Sequence, residues 1–150
     1  MLLNAPGYLL SAPGGLLGIS GAVIMMIAYS GVELGGITLG IHSMIAGSLL
    51  SIVGYQVFLL GTFATVGSDP IRQPDDLDRF ILELTATLGA AIFAGGGLYA
   101  ASLIWQWATS GFATLSFSLA SMIAFTAIVI GIQTVFSAFF MSEIANTRPR

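Results

Sequence analysis

Few residues in this sequence could do chemistry. His42 is the single histidine, and there is no cysteine. A neutral imidazole ligates metals and pigments well, so His42 is a candidate metal or pigment ligand. Without a second histidine, a thiolate or a nearby cluster of acids, the competing reading is the stronger one. It is an interfacial histidine hydrogen-bonded to headgroups or backbone. Asp76-Leu77-Asp78 is an Asp-x-Asp triplet, a pattern that can hold a divalent metal on a diphosphate. That use needs a large α/β domain around the metal, and no such domain fits within these residues. A solvated acidic turn at a helix start is the expectation instead. Arg79 precedes Glu83 by four residues and shares its helical face. The pair could position a lipid phosphate at headgroup level, or simply be an i,i+4 pair opening a helix. Gln56 and Gln133 fall mid-helix, where buried amides find partners across helices.

No nucleophile–base pair, acid–base pair or phosphate-cradling loop is evident, so no catalytic residue is assigned. Ionisable groups are nearly absent from the apolar stretches, which disfavours a proton or ion pathway. No cofactor is expected.

The elements that hold these residues follow from composition. Hydrophobic residues make up 56% of the 150, charged residues 7%, and the mean hydropathy is +0.96. A soluble domain carries about 25% charged residues, so the expected solvent is lipid. The basic residues are Arg72, Arg79, Arg148 and Arg150, with no lysine and a net charge of −3. No basic patch exists for nucleic acid to bind. The N-terminus lacks the charged region that opens a cleaved signal peptide.

A bilayer core of about 30 Å takes roughly 20 apolar residues of helix. Four segments qualify, and the expected fold is an all-α integral membrane bundle of four transmembrane helices in a single domain. The spans are placed at about 13–29, 43–66, 80–107 and 115–141, with a loop at 67–79. Ser11-Ala12-Pro13 offers a cap and a first-turn proline. The Gly31–Gly36 run breaks the helix after it, and Gly67-Ser68-Asp69-Pro70 ends the second span. Pro74-Asp75-Asp76 opens the third, and Thr109-Ser110-Gly111 marks the next turn. Two arginines lie in the 67–79 loop and two at the C-terminus, separated by an even number of spans. The positive-inside rule then places both termini and that loop in the cytoplasm of a multi-pass protein of the cell (inner) membrane. Trp105, Trp107 and Tyr29 are expected at the outer interface, and Tyr8, Phe139 and Phe140 at the inner one.

Gly40, Gly47, Gly54 and Gly61 recur every seven residues along the second span, with Ser51 extending that face. A seven-residue repeat keeps one face against a neighbour, and small residues let helix backbones approach in lipid. Ala120, Ala124, Ala127 and Gly131 form a similar face on the fourth span. Both faces are expected to form helix contacts, within the chain or between copies. Gly95-Gly96-Gly97 weakens the middle of the third helix, so a bound lipid or another helix packs there, or the helix bends.

Several runs together resemble the membrane region of family 2 glycosyltransferases of the dolichol-phosphate mannose synthase type. They are Ala5-Pro6-Gly7-Tyr8-Leu9 with Pro13-Gly14, then Gly40-Ile41-His42-Ser43-Met44, Gly47-Ser48-Leu49-Leu50 and Gly54-Tyr55-Gln56. Ser110-Gly111-Phe112 and the run from Gly131 to Phe140 continue the match. In that family a cytoplasmic GT-A domain transfers a sugar from a nucleotide to a polyprenyl phosphate, and C-terminal helices anchor it and help present the lipid. The resemblance covers nearly the whole chain but none of the catalytic domain. The third span departs from the family's Glu-Arg-Gly opening, since Leu84 and Thr85 follow Glu83. The resemblance therefore implies a non-catalytic membrane module acting as a structural or accessory subunit of a larger assembly. Two alternatives are the lipid-presenting half of a split transferase and a flippase-like oligomer. Expected partners are membrane lipids, other membrane subunits and further copies of the chain. Arg79, Glu83, Gly95, Gly96 and Gly97 are the lipid-contact candidates.

Overall fold

The computed structural model describes residues 6–68, 76–111 and 118–146. They form four long helices, α1 (Pro6–Ser30), α2 (Ile41–Ser68), α3 (Asp76–Thr109) and α4 (Leu119–Asn146), with a minute β-hairpin between the first two. Each helix contains a stretch long and apolar enough to cross a membrane. The protein is an all-α, multi-pass membrane protein. Its four helices are apolar around most of their circumference, as lipid-facing helices are.

The helix boundaries trace to particular residues. α1 starts at Pro6, two turns before the expected start, and Pro13 lies inside it. Pro6 occupies the first helical position, where a missing N–H costs nothing. Pro13 leaves the Leu9 carbonyl without its intrahelical donor, a defect that membrane helices accommodate. β1 (Glu33–Leu34) and β2 (Ile37–Thr38) pair antiparallel across Gly35-Gly36. Those glycines have φ of 60° and 83°, the left-handed conformation that a two-residue hairpin turn requires at both positions. α2 runs through Gly67 to Ser68, and α3 takes in Asp76–Arg79, so both helices enter the stretch expected as loop. The Asp-x-Asp triplet thus forms the first turn of α3, where acids suit the helix dipole. α3 ends at Thr109, and Gly111 follows with φ of 73°. Ser118 caps α4, its Oγ accepting from the Ser121 N–H at 3.3 Å. The expected start at Leu115 lies outside the described residues.

The helices pack as two antiparallel pairs, α1 with α2 and α3 with α4. The pairs are joined where α2 lies parallel to α4. One end of the molecule therefore holds the start of α1, the end of α2, the start of α3 and the end of α4. We call it the terminal end. The other, the hairpin end, holds the β-hairpin and the α3–α4 turn. Near the hairpin end Met25, Ala28 and Met44 form a buried cluster against Leu39, Leu119 and Met122.

Candidate functional site

The seam between α1 and α2 is made of backbone. Gly47, Gly54 and Gly61 are all buried, and each meets a residue of α1. A Cβ on Gly54 would fall on the Gly18 nitrogen, one on Gly47 would come within 2.8 Å of the Gly21 carbonyl, and one on Gly61 within 2.7 Å of the Gly7 carbonyl. Ser51 is buried beside Gly21, its Oγ 3.4 Å from the Gly18 carbonyl. Gly40 departs from this pattern. It precedes α2, is exposed, and has nothing within 4 Å of where a Cβ would stand. The register that carries the other three glycines against α1 ends with the helix. The matching glycines of α1, Gly7, Gly14 and Gly21, also recur every seven residues. That spacing was the available sequence signal for them.

The small face of α4 meets α3. A Cβ on Gly131 would come within 2.5 Å of the Phe93 nitrogen, and one on Gly96 within 2.8 Å of the Ala124 carbonyl. Ala120 and Ala127 flank this face and are half-buried, so Ala124 and Gly131 are the members at closest approach. Gly89, absent from the sequence reading, packs on Thr134.

Between the two pairs, hydroxyl and aromatic contacts join the apolar cluster of Met44 with Leu119 and Met122. Ser48 Oγ and Thr126 Oγ1 lie 2.7 Å apart, as do Tyr55 Oη and Thr134 Oγ1. Phe63 meets Phe140 edge-to-face at 5.0 Å. Of the two mid-helix amides, Gln56 is exposed and so is not a buried cross-helix partner. Gln133 Oε1 is buried without a hydrogen-bond partner among the described residues.

The candidate lipid contacts lie along α3. Arg79 is in its first turn, with a side chain outside the described residues, and Glu83 is exposed one turn later. Of the central glycines, Gly96 is packed on α4, whereas Gly95 and Gly97 face open space. At about 100° per residue, Arg79 and Gly97 share one face of α3, and Gly95 points elsewhere. Between them that face carries Glu83, Ala86, Ala90 and the exposed ring of Phe93. It runs from the helix start toward mid-membrane over about 27 Å for 18 residues. His42 is exposed at the second position of α2, on the opposite end of the molecule. Among the described residues no three acids, histidines or cysteines gather to hold a metal. Tyr29 and Trp105 are exposed at that same end, with Trp107 beside them.

Residues 74–145, which contain α3 and α4, match the glycosyltransferase family 2 C-terminal transmembrane region. These residues are similar to that family's membrane region. The similarity extends through α1 and α2 as well. The chain is 43% identical over 152 aligned positions to the low-salt glycan biosynthesis hexosyltransferase Agl6 of Haloferax volcanii, an alignment that covers 97% of this chain. The chain spans 37% of that relative's length. No solved structure matches it significantly. The family match takes in the runs Ser110-Gly111-Phe112 and Gly131 to Phe140, whereas the glycine runs of α1 and α2 fall in the part similar to the hexosyltransferase alone.

Proposed function

We propose that this chain is the non-catalytic membrane platform of a family 2 glycosyl transfer. It acts as an accessory module in a larger membrane assembly and presents a lipid-linked acceptor to a GT-A catalytic domain. The observation that carries this reading is the near end-to-end similarity of the chain to 37% of the length of a glycan biosynthesis hexosyltransferase. The geometry supports it in a second way. A polyprenyl phosphate needs a polar anchor for its headgroup and an apolar surface for its chain. This face of α3 provides Arg79 and Glu83 at the terminal end and Ala86, Ala90, Phe93 and Gly97 beyond them. On this reading both termini and the α2–α3 connection face the cytoplasm, where the arginines favour them. The catalytic domain then works at the end where the lipid phosphate lies.

The test is purification from gently solubilised native membranes through a C-terminal tag, with mass spectrometry of the proteins and lipids retained. A stoichiometric family 2 catalytic protein together with a polyprenyl phosphate is the expected result. Recovery with bulk lipid alone would overturn the platform reading. The flippase-like oligomer would then be the better description.

A further inference from the structure

The two helix pairs differ from the seam that joins them. Inside each pair, backbone lies on backbone, at Gly54 against Gly18 and at Gly131 against Phe93. Between the pairs, the contacts of α2 with α4 among the described residues include two hydroxyl contacts and one ring contact, with the methionine cluster at the hairpin end. Methionine is unbranched and adapts to changing neighbours.

The hydrogen-bond sense across this seam can be worked out. Thr126 Oγ1 donates to the Met122 carbonyl at 2.7 Å, and Thr134 Oγ1 donates to the Ile130 carbonyl at 2.7 Å. Each threonine has one hydroxyl proton. Ser48 and Tyr55 must therefore be the donors across the seam, and both threonines the acceptors. If the seam parts, neither threonine loses its donor bond. Ser48 can turn to its own helix, as Ser20, Ser30, Ser102 and Ser137 each do here by donating to the carbonyl three residues back. The phenol of Tyr55 is too long and rigid for that. It alone would be left with an unused donor in hydrocarbon.

We propose that the α1/α2 and α3/α4 pairs move as two rigid units. They pivot on the methionine cluster and part at the terminal end, with the Tyr55–Thr134 bond as the latch. This inference is independent of what the module presents and stands if the platform reading fails.

The chain contains no cysteine, so pairs of spin labels can be introduced without background. In lipid nanodiscs, labels at Leu16 and Leu60 report within the first pair, and labels at Leu88 and Phe136 within the second. Labels at Leu60 and Leu88 report between them. All four positions are exposed. The expected result is narrow distance distributions within each pair and a broader one between pairs. Tyr55→Phe should shift the between-pair distribution alone to longer distances. Thr134→Val should produce the same shift, and the double variant should add nothing further. A between-pair distribution as narrow as the others, unmoved by Tyr55→Phe, would overturn the proposal. So would equal broadening within and between pairs, which would mean general loosening rather than two rigid units.

Discussion

The two helix pairs use small residues to different depths. In α1/α2 the glycines are reciprocal. Gly7, Gly14 and Gly21 on one helix meet Gly61, Gly54 and Gly47 on the other, and a Cβ at nearly every one would strike backbone. In α3/α4 the approach is backbone-close at Gly96 and Gly131, but at Gly89 the neighbour is the Thr134 side chain, and Gly95 and Gly97 touch nothing. The membrane-spanning windows are 17% and 33% buried in α1 and α2, and 11% and 28% buried in α3 and α4. Lipid tails are as apolar as leucine, so helices in a bilayer associate by close packing rather than by escaping solvent. Each pair keeps one helix largely open to lipid, and the first pair is the more closely packed of the two.

One substitution, glycine to alanine, probes this contrast along a graded scale. Gly54→Ala places a methyl group on the α1 backbone, which cannot move aside. It should cost about 3 kcal/mol or more, at the upper end of overpacking penalties, measured by reversible unfolding in mixed micelles. Gly131→Ala meets the α3 backbone at 2.5 Å, but α3 has fewer other restraints, and a cost of about 2 kcal/mol is expected in the same assay. Gly95→Ala inverts the sign. With open space around it and a helical backbone, the change should stabilise α3 by up to about 1 kcal/mol through helix propensity. If Gly95→Ala instead destabilises, something already packs on that face and the contrast between the pairs collapses. Smallest is Tyr55→Phe, which removes one interhelical hydrogen bond, worth about 0.6 kcal/mol on average in membrane proteins. Its thermodynamic effect should be far below that of Gly54→Ala.

Much of the fold was legible in the sequence because lipid imposes a simple requirement. Runs of about 20 apolar residues must be helices, and glycine and proline punctuate them. The heptad of α2 marked a contact face correctly at Gly47, Gly54 and Gly61, since a seven-residue repeat stays on one side of a helix. Gly40 shared the spacing but not the helix, and spacing alone carries no information about where a helix begins. Pro13 misled in the opposite way. It is a strong start signal in water, yet it sits inside α1, where a membrane helix accommodates the lost hydrogen bond. The Ser48–Thr126 and Tyr55–Thr134 contacts left no signal. A hydroxyl in an apolar helix satisfies its own backbone equally well, and only the helix arrangement shows which hydroxyls face one another. Arg79, Glu83 and Gly97 stood out by type, and their alignment on one face depends on an unbroken α3.

The four apolar spans also differ in length. They run Leu9–Ser30, Ile41–Thr65, Leu82–Thr109 and Leu119–Glu143, or 22, 25, 28 and 25 residues. At 1.5 Å per residue these are about 33, 38, 42 and 38 Å. α3 exceeds a bilayer core of about 30 Å by about 12 Å, an excess that a membrane helix takes up by tilting, by kinking or by thickening the lipid around it.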